Sequence, residues 1–316
     1  MAGPSKDARI FVAGHAGMVG SALIRRLEAG GYTNLIVRSR TELDLLDRSA
    51  VLAFMADARP EYTIIAAARV GGIHANNAAR ADFLFENLLI AANLIDATHR
   101  AGLQRLLFLG SSCIYPRDCP QPIREEYLLS GPLEETNEPY AIAKIAGLKL
   151  CESYNRQHGR QYVSVMPTNL YGPNDSYDLK TGHVLPALLR KAHEAKLAGS
   201  PTMILWGTGT PRREFMHVDD LADACVFLME HDYAGPMVNV GVGEDITVSD
   251  LAREIMGVVG YQGDLAFDES EPDGTPRKLL DVSRLAHAGW TAKIGLRDGL
   301  ERTYADFLRT QLPRDG

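Results

Sequence analysis

Near the N-terminus, an apolar run leads directly into three glycines that are spaced three residues apart. Residues 8–13 (ARIFVA) have the composition of a buried strand, and Gly14, Gly17 and Gly20 follow at once. Residues 18–29 then show helical apolar spacing, which stops at Gly30 and Gly31. A strand, a glycine turn and a helix in this order are typical of the first unit of a doubly wound α/β sheet.

The same alternation of strand and helix continues along the first half of the chain. The pattern predicts strands over residues 35–37, 62–67, 105–109 and 162–166, and helices over 47–58, with Asp47 as the N-cap, 84–101 and about 138–157. Short connections between them favour a parallel sheet with helices on both faces. After residues 171–173 (YGP) the alternation weakens. We expect a Rossmann domain of residues 1–172 plus about 207–243, and a smaller substrate-binding domain of 173–206 and 244–316.

Composition excludes several classes of function. The 316 residues carry a net charge of −7, which argues against non-specific nucleic-acid binding. Neither a signal-peptide core nor an apolar stretch of membrane-spanning length is recognisable, so we expect no membrane association. The four cysteines lack the paired spacing of a zinc site and are too sparse for a disulfide framework. We therefore expect a cytoplasmic protein without a metal.

The glycine turn has the features of a dinucleotide cradle. Gly14 permits a tight turn, Gly17 lets the backbone approach phosphate, and Gly20 allows the helix to pack closely on the strand. The intervening residues His15, Ala16, Met18 and Val19 belong to the same loop. Backbone N–H groups and the helix dipole would attract a pyrophosphate there. The alternative is an ordinary glycine turn.

The end of the second strand predicts which dinucleotide is bound. Arg38 and Arg40 stand where an acidic residue would select NAD, and they suit the 2′-phosphate of NADP. A solvated surface arginine is the alternative for each. Asp44 and Leu45 are placed to meet the adenine edge, although a plain surface loop would look the same.

Tyr140 and Lys144 are four residues apart on a predicted helix and therefore share a face. A nearby ammonium is expected to lower the pKa of the phenol and make it a usable proton donor. Leu109 ends the fourth strand, and Gly110, Ser111 and Ser112 follow it at the carboxyl edge, where ligands bind in such sheets. The Ser111 hydroxyl is predicted to bind a substrate carbonyl, although a serine there could also stabilise a turn.

Taken together, these residues resemble the extended short-chain dehydrogenase/reductase family over nearly the whole chain. The resemblance rests on residues 14–20, 68–73, 110–116 (GSSCIYP), 137–144 (NEPYAIAK), 166–173, 213–220 and 272–278. It is most specific to the NADPH-dependent GDP-sugar 3,5-epimerase/4-reductases. It implies GDP-4-keto-6-deoxy-D-mannose as the substrate, GDP-L-fucose as the product and NADP(H) as the cofactor.

The resemblance also implies individual roles. Cys113 and His183 match the family's base and acid, and both groups titrate near neutrality when slightly perturbed. A buried small hydrophobe is the alternative for Cys113, and a helix cap is the alternative for His183. Further residues match cofactor or GDP-sugar positions: Pro167, Thr168, Asn169, Leu170 and His183 for the cofactor, and Lys191, Trp206, Arg213 and Asp273 for the substrate. Ala16 departs from the family pattern, which often has an arginine there, so the 2′-phosphate would depend on Arg40.

Other readings of the sequence stay open at this stage. A GDP-colitose synthase would use the same residues on a 3-deoxy sugar, whereas a 4,6-dehydratase would need an acidic residue beside Ser112. An NADP-binding redox sensor without turnover is the non-enzymatic alternative. Family members are commonly homodimers that pair the helix of Tyr140 with the helix near residues 88–97.

Overall fold

The computed structural model describes residues 3–179, 182–231, 233, 235, 237–270 and 273–311. A central sheet of six parallel strands has the order β10-β5-β4-β3-β1-β2. Its strands are β1 (Ile10–Ala13), β2 (Leu35–Ile36), β3 (Tyr62–Ile65), β4 (Arg105–Leu109), β5 (Gln161–Pro167) and β10 (Met237–Val240). The predicted doubly wound fold is therefore confirmed.

Alternate residues of β1 show why both faces of the sheet are covered. Ile10 and Val12 pack in one apolar cluster with Leu23 of α1 and Leu221 of α7. Phe11 packs on the other face, in a cluster with residues of α2 and α4. The helices flanking the sheet are α1 (Met18–Ala29), α2 (Arg48–Ala58), α3 (Ile73–Ala78), α4 (Arg80–Arg100), α5 (Glu138–His158) and α7 (Val218–Glu230).

Local signals set the ends of several of these elements. The Asp47 carboxylate accepts hydrogen bonds from the backbone N–H groups of Ser49 and Ala50, as predicted for the N-cap of α2. Helix α1 and strand β4 have the predicted bounds. Helix α4 begins at Arg80, four residues before the predicted start, and ends one residue early at Arg100.

A second set of elements lies beside the carboxyl edge of the sheet. It consists of β6 (Asn169–Tyr171), α6 (Val184–Ala198), β7 (Thr202–Trp206), β8 (Arg212–Arg213), β9 (Phe215–His217), β11 (Ile246–Thr247), α8 (Val248–Val259), β12 (Asp264–Asp268), β13 (Arg277–Lys278), α9 (Ser283–His287) and α10 (Leu296–Gln311). Small sheets pair β12 with β7, β6 with β9, and β8 with both β11 and β13. Much of this region shares a separate apolar cluster that includes Tyr171, Leu188 and Leu251. The predicted domain boundaries at 172, 207 and 243 stay a prediction.

Of the helices in the described part of the chain, none combines the length and the apolar character that crossing a membrane requires.

Candidate active site

A large cleft runs along the carboxyl ends of β1, β4 and β5 and reaches into the second set of elements. Its volume of about 1170 Å³ exceeds the range of about 300–1,000 Å³ that is usual for a single small ligand. Nearly all of the predicted site residues line it: Gly14, Gly17, Met18, Val19, Gly20, Arg40, Asp44, Leu45, Leu109, Gly110, Ser111, Ser112, Cys113, Tyr140, Lys144, Pro167, Thr168, Asn169, Leu170, His183, Lys191, Trp206, Arg213 and Asp273. His15 and Ala16 belong to the same loop but are not among the lining residues.

The glycine turn is built so that side chains would obstruct it. Gly14 has a φ of +85°, and a Cβ there would lie 2.7 Å from the backbone of Ala67. A Cβ on Gly20 would collide with the backbone of Gly14. At Gly17 the space is open, because a Cβ would meet only the Gly14 oxygen, at 3.6 Å. The open side of the turn faces the cleft at the first turn of α1, which fits a pyrophosphate.

The far end of the cleft is basic. Arg38 and Arg40 both line it, and the Arg38 guanidinium donates a 2.8 Å hydrogen bond to the Val37 carbonyl. The same guanidinium lies 5.2 Å from the centre of the Phe54 ring. The Asp44 carboxylate accepts a hydrogen bond from the backbone N–H of Leu46, at 3.0 Å, and so orders its loop.

Lys144 is fixed at the centre of the cleft. Its ammonium donates a hydrogen bond of 2.7 Å to the Leu109 carbonyl and lies 5.6 Å from the centre of the Tyr140 ring. Burial lowers the pKa of Lys144 to about 8. Burial also raises the pKa of Tyr140, so the expectation of a lowered phenol pKa is wrong. Tyr140 therefore stays protonated and is a proton donor at neutral pH.

The residues after β4 turn sharply and bring sulfur to the cleft wall. The Ser111 hydroxyl oxygen accepts a hydrogen bond of 3.3 Å from the backbone N–H of Cys113, at the start of a short 3₁₀ turn, Ser112–Ile114. Cys113 is 8% exposed. Burial raises the pKa of Cys113, while Lys278, Ser111 and Lys144 oppose that rise. The thiol is thus stabilised against ionisation, contrary to the expectation of a near-neutral pKa.

His183 lines the cleft directly before α6. Its backbone carbonyl accepts the helical hydrogen bond from Ala187, but its imidazole makes no capping hydrogen bond to this helix. The residue is exposed to solvent from the cleft, yet desolvation by the surrounding protein lowers the pKa of His183, with a smaller effect of Lys278. The imidazole is therefore neutral at rest.

The outer part of the cleft joins aromatic, cationic and acidic side chains. The Lys191 ammonium lies 4.3 Å above the ring of Trp206. Thr208 donates to both carboxylate oxygens of Asp273, at 2.7 Å each, and this ties two loops of the rim together. The 272–278 motif is described from Asp273 onward, and Pro272 lies outside the described residues.

Sequence reasoning missed Lys278 as a site residue. Strands β8 and β13 run parallel, with Arg277 opposite Arg212 and Lys278 opposite Arg213. Asp245 forms ion pairs with Arg212 and Arg277, and Arg213, Arg277 and Lys278 line the cleft. The only available signal was its place at the end of the 272–278 motif, because a two-residue strand has no periodicity to detect.

Glu214, next to Arg213, is fully buried and connects the two sides of the cleft by hydrogen bonds. Its carboxylate accepts hydrogen bonds from the backbone N–H groups of Val242, Gly243 and Leu280, at 2.7, 2.8 and 3.0 Å. Its backbone carbonyl accepts hydrogen bonds from the side chains of Thr168, at 3.2 Å, and Asn169, at 2.8 Å. One residue thus fixes the wall beside β5 and the segment that follows Lys278.

Comparison with known proteins agrees with this geometry. The profile of the NAD dependent epimerase/dehydratase family matches residues 10–241, most of the chain. The chain belongs to this family. The resemblance to extended short-chain dehydrogenases/reductases is therefore confirmed.

Several members of the epimerase/dehydratase family are similar to the chain over almost their full length. A GDP-L-fucose synthase of Escherichia coli is 55% identical over 312 residues, covering 96% of the chain and 97% of the relative. GDP-L-fucose synthase 1 of Arabidopsis thaliana is 54% identical over 96% of the chain and 94% of the relative. A GDP-L-colitose synthase of Yersinia pseudotuberculosis is 39% identical over 95% of the chain and 98% of the relative.

Solved structures of other family members match the fold closely. A GDP-6-OMe-4-keto-L-xylo-heptose reductase of Campylobacter jejuni has a TM-score of 0.92 at 36% identity, covering 98% of this chain and all of that one. A GDP-L-fucose synthetase of Naegleria fowleri bound to NADP has a TM-score of 0.90 at 27% identity, covering 98% of this chain and 95% of that one. In this epimerase/dehydratase fold, no cluster of three or more His, Cys, Asp or Glu side chains among the described residues is arranged to hold a metal ion.

Proposed function

We propose that the chain catalyses the NADPH-dependent conversion of GDP-4-keto-6-deoxy-D-mannose to GDP-L-fucose, by epimerisation at C3 and C5 followed by reduction at C4. One observation carries the proposal: Cys113 and His183 line the same cleft as Ser111, Tyr140 and Lys144. A simple 4-ketoreductase needs only the last three. The similarity of the chain to GDP-L-fucose synthases, at 54–55% identity, supports the same reaction.

The glycine turn and the basic end of the cleft suit NADP(H). Gly14, Gly17 and Gly20 would hold the pyrophosphate, and Arg40 the 2′-phosphate, with Asp44 and Leu45 beside the adenine. Thr168 and Asn169, held by the Glu214 carbonyl, would border the nicotinamide together with Pro167 and Leu170. NADPH bound there supplies a hydride for C4.

Epimerisation uses the acidity that the C4 ketone gives to the hydrogens on C3 and C5. The Cys113 thiolate takes the proton from one of these carbons, so that the C–H bond breaks and an S–H bond forms. The electron pair moves to the C4 oxygen as an enolate. The His183 imidazolium then gives a proton to the opposite face of the carbon, and the configuration inverts. Exchange with water restores both groups before the second centre reacts.

Reduction at C4 uses the other three residues. The Ser111 hydroxyl donates a hydrogen bond to the C4 oxygen and polarises the carbonyl. Tyr140 gives its phenolic proton to that oxygen as the carbinol forms. The Lys144 ammonium, anchored on the Leu109 carbonyl, then stabilises the phenolate until it is protonated again.

The outer cleft suits the GDP group. Trp206 offers an aromatic face for the guanine, and Lys191 and Arg213 offer charge to the diphosphate. Asp273 is held by Thr208 at the rim, where its carboxylate can accept hydrogen bonds from ribose hydroxyls.

The direct test is incubation with GDP-4-keto-6-deoxy-D-mannose and NADPH, followed by NMR of the sugar formed. We expect GDP-L-fucose, with deuterium at C3 and C5 when the reaction is run in D₂O. A C4-reduced sugar that retains its configuration at C3 and C5 would contradict the proposal. Turnover of the 3-deoxy ketone alone would favour a GDP-L-colitose synthase, and the absence of NADPH oxidation with either sugar would favour the redox sensor.

We also propose a homodimer that pairs the outer faces of α4 and α5. Phe85 and Leu88 on α4 are 61% and 38% exposed, and Ile142 on α5 is 42% exposed. Apolar side chains of this size on neighbouring helices favour burial against a second copy. Light scattering is expected to give twice the chain mass, and Phe85→Glu to reduce it to that of one chain. Leu197→Glu, at an apolar residue on α6 that is 71% exposed, is the matched control.

The proposed location is the cytoplasm. All four cysteines are free, and Cys113, Cys151 and Cys225 are buried, as is usual in a reducing compartment. Fractionation of cells that express the tagged chain tests this directly: recovery in the soluble cytoplasmic fraction is expected, and recovery with membranes would contradict it.

A further inference from the structure

The base of the proposed reaction is a cysteine whose surroundings oppose its ionisation. Cys113 is buried, and burial raises the pKa of its thiol. Ser111 lies in the same turn as Cys113, and Tyr140, Lys144 and Lys278 line the same cleft. The thiolate that takes a proton from carbon needs one of the two ammonium groups, Lys144 or Lys278, as a stabilising cation.

Lys278 is held in place on two sides. Its strand β13 pairs with β8, where Lys278 stands opposite Arg213. The next residue is hydrogen-bonded to the loop that follows the Cys113 turn. The Leu279 carbonyl accepts a hydrogen bond from the Ile123 N–H at 2.7 Å, and the Leu279 N–H donates to the side-chain oxygen of Gln121 at 2.8 Å. Leu280 donates to the buried Glu214 carboxylate at 3.0 Å. This framework fixes the backbone of Lys278 against the wall that carries Cys113.

The two basic residues of β13 both line the cleft but differ in their charge partners. Arg277 forms an ion pair with Asp245, whereas Lys278 shares the cleft with Cys113, Arg213 and Glu134. Burial lowers the pKa of Lys278, and Cys113 is the strongest of the groups that raise it again. The Lys278 ammonium thus lowers the pKa of the Cys113 thiol, and the Cys113 sulfur raises the pKa of Lys278.

Lys278 suits this role better than Lys144. Lys144 donates its hydrogen bond to the Leu109 carbonyl, and its pKa is lowered to about 8. Of the two ammonium groups, Lys278 also has the larger effect on the pKa of Cys113. Lys278 lowers the pKa of His183 as well, which makes the imidazolium a stronger acid toward the enolate.

We propose that Lys278 stabilises the thiolate form of Cys113 and is, through that sulfur, a positioning residue for the proton transfers at C3 and C5. This inference rests on the proposed function. Lys278 keeps its own proton throughout: the proton from carbon goes to sulfur, the electron pair goes to the C4 oxygen, and the ammonium supplies only charge.

The first test follows the sulfur without any substrate. The ligand-free protein is treated with iodoacetamide from pH 6 to pH 10, and alkylation of the Cys113 peptide is quantified by mass spectrometry. We expect Lys278→Met to slow alkylation at pH 7.5 by about tenfold, which corresponds to a pKa higher by about one. Lys278→Arg is expected to react like the wild type, and so is the control Lys293→Met, at a surface lysine that pairs with Asp223. Identical profiles for Lys278→Met and wild type would overturn the proposal.

The second test measures proton transfer at carbon. GDP-4-keto-6-deoxy-D-mannose is incubated in D₂O without NADPH, and deuterium at C3 and C5 is counted. We expect Lys278→Met to lose about tenfold in exchange rate while binding NADPH normally, with rescue by Lys278→Arg. If Lys278→Met does not fold, Lys278→Gln replaces it in both comparisons.

The two tests separate the inference from the function on which it rests. Wild-type protein that exchanges no deuterium would refute the epimerase assignment, whereas the alkylation profile would still decide the coupling of Lys278 to Cys113. Normal exchange by Lys278→Met would refute the role of Lys278 and leave the assignment intact.

Discussion

The ammonium of Lys144 donates a hydrogen bond of 2.7 Å to the backbone oxygen of Leu109, the last residue of β4. This contact holds a buried cation at the carboxyl edge of the sheet, in the cleft that the glycine turn and the Cys113 turn also line. The placement, which the proposed reduction at C4 requires, opposes folding, because burial lowers the pKa of Lys144 from 10.5 to about 8. At roughly 1.4 kcal/mol for each pH unit, this lowering corresponds to about 3 kcal/mol.

Lys144→Met is expected to abolish reduction at C4 and to raise stability at neutral pH. Below pH 8 the wild-type lysine is charged in both states, and its burial penalty is complete. Between pH 8 and 10.5 the unfolded chain holds more protons, so wild-type stability rises with pH. The free energy of unfolding of the variant is therefore expected to exceed that of the wild type by about 1–3 kcal/mol at pH 7, once about 1 kcal/mol for the lost hydrogen bond is subtracted. This difference disappears by pH 10.5. Urea unfolding at both pH values measures this, and a difference that does not change with pH would contradict it.

The opposite pKa shifts of Cys113 and His183 predict a broad pH profile for epimerisation. Burial raises the pKa of Cys113 and lowers that of His183, so thiol and neutral imidazole are the resting forms at neutral pH. The reactive thiolate–imidazolium pair contains the same number of protons, and its population is constant between the two pKa values. We expect kcat/KM for deuterium incorporation to be flat there. The value of kcat/KM should fall in acid, where His183 gains a proton while Cys113 is still a thiol. It should also fall in base, where Cys113 loses its proton while His183 is already neutral. A sharp maximum near pH 7 would contradict these shifts.

Cys113→Ser is expected to stop inversion and to preserve cofactor binding. A serine hydroxyl fits the buried site after Ser111, but it does not ionise at neutral pH, so deuterium incorporation should fall by at least about 100-fold. Fluorescence titration with NADPH should match the wild type, because Cys113 is not among the residues proposed to hold the cofactor. Formation of normal GDP-L-fucose by this variant would rule out the thiol as the base.

Two alanine substitutions in the glycine turn are expected to separate folding from cofactor binding. Gly14→Ala forces a φ of +85° on an L-residue and places Cβ 2.7 Å from the Ala67 backbone, so the melting temperature should fall. Gly17→Ala has open space and no positive φ, so its melting temperature should be that of the wild type. Its methyl group would occupy the phosphate side of the turn and weaken NADPH binding at least about tenfold. Unchanged NADPH affinity in Gly17→Ala would contradict the cradle.

Arg40→Ala is expected to reduce the preference for NADPH. The arginine lines the basic end of the cleft, and its removal should lower kcat/KM for NADPH about tenfold or more and leave the value for NADH nearly unchanged. Arg253→Ala, at an exposed arginine paired with Asp250, is the matched control. A wild-type kcat/KM for NADH equal to or above that for NADPH would contradict the cofactor preference itself.

The sequence predicts best what neighbouring residues decide. The N-cap at Asp47 and the bounds of α1 and β4 follow from signals within one turn or one strand. The sequence predicts too late a start for helix α4, because its first turn, Arg80–Phe83, is half polar and lacks a capping side chain. Of the residues that the motifs predict for the site, all except His15 and Ala16 line the cleft.

Properties that depend on the folded surroundings could not be predicted in this way. The spacing of Tyr140 and Lys144 suggests a lowered phenol pKa, but the protein atoms packed around the phenol reverse that direction. Lys278 is separated from Cys113 by more than 160 residues of chain. Only the pairing of β13 with β8, and of Leu279 with Ile123, brings the two together.

Glu214 accepts five hydrogen bonds and so links two walls of the cleft, one at Thr168 and Asn169 and the other at Leu280. A substitution there would displace both walls at once, and would therefore disturb the sites proposed for the cofactor and for the sugar together. Specificity for a new sugar can therefore change more readily at the rim, at residues such as Trp206, because a substitution there leaves the hydrogen bonds of Glu214 intact.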